Sequence, residues 1–184
     1  ASPMAPALPG LPVPVRWTAD GEGLDLLDQT LLPAEERHLR LESVEEVAEA
    51  IRRLRVRGAP AIGIAAALGL AMGLRRRARD LGWGSGAFER GQDLALEEGF
   101  RRDLELLRCT RPTAVNLGWA LARLEAVFLS SRGESLETRA RAVAREADAI
   151  AEQDREMCRR IGEHGLEVIP DQGANRTNYE DQVI

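Results

Sequence analysis

The sequence predicts a mainly α fold, a helical domain led by a small N-terminal β-hairpin. Three observations carry that expectation. Period-two alternation is confined to the start of the chain, apolar residues recur at steps of three and four from Ser43 onward, and glycine- and proline-containing breaks cut that stretch into five helical segments.

The chain opens on a proline-rich lead, residues 1–12, with neither the charged nor the apolar region of a secretory signal. Val13, Val15 and Trp17 then alternate on one face, "DGEG" supplies a turn, and Leu24 and Leu26 resume the alternation, which predicts a hairpin. From Ser43 the period becomes helical, with Val44, Val47, Ala48, Ile51 and Leu54 on one stripe and Ser43 with Glu46 spaced as a capping box. Gly58 is expected to end this helix and Pro60 to begin a second, about 60–81, closed by "LGWGSG". A third helix, about 88–107, is expected to bury Leu94, Leu104 and Leu107, and a fourth to start at Pro112. The fifth, about 136–161, sets Leu136, Ala140, Val143, Ala147, Ile150, Met157 and Ile161 at heptad-like steps interrupted by Asp154.

Packing inside the domain's own bundle is the preferred reading of that last stripe, with a homodimer as the alternative. "GLEVIP" reads as the opening of a strand. The final stretch, residues 171–184, holds the only tyrosine and two of the three asparagines and does not match what precedes it. The domain proper is therefore drawn over residues 13–170.

Composition narrows the function. A net charge of -5 argues against nucleic acid, whose binding needs clustered basic residues to displace counterions. All 25 basic residues are arginine, which removes Schiff-base lysine chemistry but favours forked recognition of phosphate. Cys109 and Cys158 form no zinc or disulfide pattern, so no metal is expected and a reducing, cytoplasmic setting is the default. The weakly polar run from Ala59 to Leu74 is shorter than the ~18–20 residues a membrane span requires, and its Gly69 and Gly73 suit close helix packing instead.

Two helix starts carry the chemistry. In "VRGAPAIG" the arginine Arg57 precedes Gly58, Ala59 and a proline, so a ligand oxygen can approach bare backbone N–H groups at the positive end of a helix. "TRPTAVNL" repeats the arrangement with Arg111, adding Thr113 and Asn116. Arginines that merely anchor a neighbouring helix are the alternative. Two such corners suit a doubly charged group gripped from two sides. Cys109 lies close to the second corner in sequence, although a lone cysteine more often acts as a small buried hydrophobe.

"VRGAPAIGIAAALG", "RPTAVNLGWAL" and "MCRRIGEHG", in that order, together with the hairpin and "LDLLDQTLLP", resemble the methylthioribose-1-phosphate isomerase family over nearly the whole chain. Related sugar-phosphate isomerases and regulatory subunits of the guanine-nucleotide exchange factor for translation initiation resemble it less closely. The resemblance implies a helical N-terminal domain followed by a Rossmann-like one, and isomerisation of an aldose 1-phosphate to the ketose without metal or nucleotide cofactor. It assigns substrate binding to Arg57, Gly58, Ala59 and Arg111. The family's catalytic cysteine, in a T-x-C-N-x-G-type turn, and its later aspartate have no counterpart here; Cys158 sits in the "MCRRIGEHG" helix instead. The expectation is the substrate-binding half of an isomerase acting on 5-methylthioribose 1-phosphate, with no catalytic residue in this chain and no turnover by itself. A non-catalytic regulatory or interaction module, or an isomerase of another ribose phosphate, is the alternative.

Overall fold

A computed structural model describes residues 12–83 and 90–168. The proline-rich lead up to residue 11, the "GSG" closing the second helix and the tail from residue 169 lie outside the described residues.

The hairpin forms as expected and gains a partner. Strands β1 (Val15–Trp17), β2 (Leu24–Leu27) and β3 (His38–Leu41) make an antiparallel sheet in the order β1-β2-β3, with Val15 opposite Leu26 and Leu24 opposite Leu41. Gly21, at φ +69, turns the first hairpin, and Thr18 closes it by pairing its amide with the Gly23 carbonyl at 2.9 Å. The third strand is absent from the sequence-based expectation because it is short and polar on one side, yet "HLRL" does alternate, with Leu41 buried and His38 and Arg40 exposed.

Helix α1 (Val44–Arg52) begins at the predicted capping box: Ser43 Oγ accepts from the Glu46 amide at 3.2 Å and the Glu46 carboxylate reaches back to the Ser43 amide. It ends earlier than expected. Leu54, at φ +56, takes the left-handed conformation that closes the helix, so Gly58 is not its terminator; at φ +89 Gly58 instead caps the start of α2 (Ala59–Asp80). Pro60 lies in the first turn of α2, where no intrahelical partner is lost.

α2 is the central helix and is buried along nearly its whole length from Ile62 to Met72. Its small residues let neighbours approach: Val47 of α1 packs on Gly69 and Val44 on Gly73. None of the described helices is long and apolar enough to cross a membrane, in line with the length of the Ala59–Leu74 run.

The third helix, α3 (Arg90–Arg108), buries Leu96, Phe100, Leu104 and Leu107. Leu94, expected inside, is 58% exposed, because the helix turns Leu96 and Phe100 to the core and leaves Leu94 on the opposite face. Helix α4 (Val115–Ser130) starts later than Pro112. Arg111 and Ala114 close a turn at 2.9 Å with Pro112 as its second residue, a position that its fixed φ favours.

The fifth helix, α5 (Leu136–Val168), is longer than expected and passes from one compact unit into another at Ala151/Glu152. Within the first unit Leu136, Ala140, Val143, Ala147 and Ile150 are buried, and Arg139 lies fully buried against Phe128 and Asp93. In the second unit the stripe continues, but Met157 and Ile161 are exposed, contrary to the burial their spacing predicted. "GLEV" is helical rather than the start of a strand; ion pairs Arg159–Glu156 and Arg159–Glu163 stabilise the turns before it. The last two residues of "GLEVIP" lie outside the described residues.

A candidate anion site at two helix starts

Contacts between helices fix their directions. Gly73 of α2 faces Asp103 of α3 and Arg77 faces Gly99, so those two run antiparallel. Phe100 stacks on Phe128 at 3.9 Å while Arg108 pairs with Glu125, so α3 and α4 also run antiparallel. α2 and α4 therefore run the same way, and their N-termini lie at the same end. The contact between Gly63 in α2 and the Asn116 backbone in the first turn of α4 sets these starts side by side.

Their ends differ from that of α1. α1 satisfies its first N–H groups with Ser43 and Glu46 and carries Glu45 as well. Gly58 and Ala114, the caps of α2 and α4, make no side-chain cap hydrogen bond, and neither helix has an acidic residue in its first turn. Neither of these adjacent positive dipole ends thus has a capping side chain or a first-turn carboxylate of its own.

Arginine pairing points the same way. Most of the described arginines hold a carboxylate, as in Arg16–Asp25, Arg55–Asp28 and Arg123–Glu146. Among the described residues no carboxylate pairs with Arg57 or Arg111. Arg57 is exposed, its Nε donating to the Leu54 carbonyl at 3.2 Å, and Arg111 is half-buried on its turn. Gly58 faces open space: a Cβ placed there would meet nothing within 4 Å. Gly58 and Ala59 are both exposed, so a ligand oxygen can reach the backbone.

Cys109 does not behave as the small buried residue its isolation suggested. It is exposed, and its thiol donates to Glu105 Oε1 at 3.0 Å. That hydrogen bond, with some desolvation and the Glu105 charge, raises its pKa above the ordinary thiol range, so Cys109 rests protonated rather than as a nucleophilic thiolate. Cys158 is exposed on α5. Among the described residues no cluster of histidine, cysteine or carboxylate is suited to a metal ion.

Asp28 and Gln29, which sequence patterning did not single out, leave β2 and hold the loop that bears Arg57. Asp28 is buried; its carboxylate accepts from Arg55 at 2.7 Å and from the Thr30 hydroxyl at 2.6 Å. Burial works to raise its pKa, but the Thr30 hydroxyl and amide and the Arg55 guanidinium outweigh it and hold the group below the usual carboxylate value. The polar "DQT" directly after an apolar strand was the available signal.

The architecture is that of a helical domain with a small antiparallel sheet and two adjacent helix starts, each close to an arginine. Residues 55–177 match the Initiation factor 2 subunit family, and the chain belongs to it. Over 85% of its length it is 46% identical to methylthioribose-1-phosphate isomerase of Symbiobacterium thermophilum, covering 40% of that protein. It is 40% identical to 5-deoxyribose 1-phosphate isomerase of Moorella thermoacetica over 90% of its length and 43% of that protein's. Among solved structures, 5-methylthioribose 1-phosphate isomerase from Pyrococcus horikoshii superposes with a TM-score of 0.75 at 38% identity, covering 88% of this chain and 42% of that one. Subunit delta of the translation initiation factor eIF-2B from A. fulgidus gives 0.70 at 37% identity, covering 85% and 41%. The chain spans about two fifths of the length of the curated relatives it matches.

Proposed function

We propose that this chain supplies the phosphate-binding part of an aldose–ketose isomerase that converts 5-methylthioribose 1-phosphate to 5-methylthioribulose 1-phosphate. The observation that carries the proposal is the pair of adjacent, uncapped helix starts, each accompanied by an arginine without a carboxylate partner among the described residues. A phosphate there receives backbone N–H groups of Gly58 and Ala59 and the charges of Arg57 and Arg111. Its two negative charges take the place of the capping side chain or first-turn carboxylate that these helices do not carry. The identity to relatives named for methylthioribose 1-phosphate or 5-deoxyribose 1-phosphate supports a sugar 1-phosphate over other anions.

Isomerisation also requires ring opening and proton transfer between the first two carbons. The residues at this corner bind charge; none is placed as an acid or base, and Cys109 rests as a thiol. The 184-residue chain is therefore expected to bind the phosphate group and not to turn substrate over. The likeness to subunit delta supports a second reading, a regulatory module that uses the same corner to sense a sugar phosphate. Titration of the chain with ribose 1-phosphate, followed by amide NMR, tests the site. Shifts centred on Gly58, Ala59, Val115 and Asn116 are expected; a spectrum unchanged at saturating ligand refutes the assignment, and measurable turnover refutes the division of labour.

A further inference from the structure

The peptide that leads into Arg57 is held from outside its own loop. Gln29 Oε1 accepts a hydrogen bond from the Arg57 amide at 2.5 Å, and the Gln29 amide donates to the Arg55 carbonyl at 2.8 Å. Asp28, next to it, anchors the Arg55 side chain. Gly58 itself, at φ +89, has no atom within 4 Å of where a side chain would begin, and its carbonyl accepts from the Ile62 amide at 3.0 Å. Glycine has the widest choice of backbone conformation, so fixing the chain on its N-terminal side narrows the positions that its N–H can take. We propose that Gln29 is a positioning residue for the anion corner. Its side-chain carbonyl fixes the Val56–Arg57 peptide, and with it the approach of the chain to Gly58, before ligand arrives and without touching the ligand.

The inference rests on reading the corner as an anion site. It adds that affinity there depends on preorganisation delivered from the segment that follows β2, distant in sequence, as well as on the arginines. Gln29 is half-buried and contributes no charge, so its loss removes one restraint rather than part of the core.

The test uses the 184-residue chain with inorganic phosphate as the probe. Gln29→Met keeps the bulk and removes the acceptor. It is expected to speed hydrogen exchange of the Arg57 amide and to weaken phosphate binding about tenfold, the loss of one hydrogen bond's worth of preorganisation, with an unchanged melting temperature. Gln29→Glu retains an acceptor and is expected to retain slow exchange at Arg57. Wild-type affinity in Gln29→Met overturns the positioning role alone, as does an Arg57 amide that exchanges as slowly in Gln29→Met as in wild type, which would leave the side chain no part in holding the loop. A wild-type chain that binds no phosphate overturns the site and, with it, the role of Gln29.

Discussion

The backbone carbonyl of Asn116 lies where Gly63 leaves room for it: a Cβ on Gly63 would stand 2.8 Å from that oxygen. This contact brings the second turn of α2 against the first turn of α4, and the separation of the two helix starts depends on it. Gly63→Ala forces the helices apart at a point where backbone, not a flexible side chain, must move. Destabilisation of ~1–3 kcal/mol is expected from such overpacking. Thermal unfolding measures it, and phosphate affinity should fall in parallel because the two corners no longer converge.

Arg57→Ala and Arg111→Ala are each expected to weaken phosphate or sulfate binding by about 1–3 kcal/mol, the usual worth of a charge-assisted hydrogen bond. Neither side chain pairs with a carboxylate among the described residues, so melting temperatures should stay close to wild type. Calorimetric titration distinguishes the outcomes. A large loss of stability without loss of binding would make these arginines structural anchors.

Asp28 makes stability pH-dependent in a defined direction. Its pKa in the fold lies below the usual 3.8, so its contribution is complete above that value and is lost as pH falls through the lower folded value. Asp28→Asn removes the contribution. The stability gap between wild type and Asp28→Asn is expected to be widest near neutral pH, on the order of 1–3 kcal/mol, and to narrow under strongly acidic conditions. Urea titrations across that range check it; a gap that widens toward acid would contradict the assigned charge state.

The stripe on α5 should divide energetically where its burial ends. Ile150, 4% exposed, is expected to cost about 2–4 kcal/mol on substitution by alanine, since the change leaves a cavity. Ile161, 66% exposed, should cost less than about 0.5 kcal/mol by the same measurement. Equal costs would mean that Ile161 is covered in solution.

Chemistry confined to a few neighbouring residues is legible in the amino-acid sequence by itself. The Ser43–Glu46 cap, the hairpin turn at "DGEG", the small-residue face of α2 and the two arginine-bearing helix starts each depend on neighbours in sequence, whose hydrogen bonds and φ preferences travel with the residues themselves. Tertiary structure alone decided the rest. Spacing placed Leu94, Met157 and Ile161 on apolar stripes, yet burial requires a partner surface, and at these positions no described residue covers the side chain. Gly58 suits the end of α1 as well as the start of α2, and Leu54 decided between them by taking the left-handed turn itself. Gln29 and Arg57, 28 positions apart, carry no mutual signal in sequence; only the fold brings that acceptor to that donor, because hydrogen bonds act over ångströms in space and not over distance along the chain.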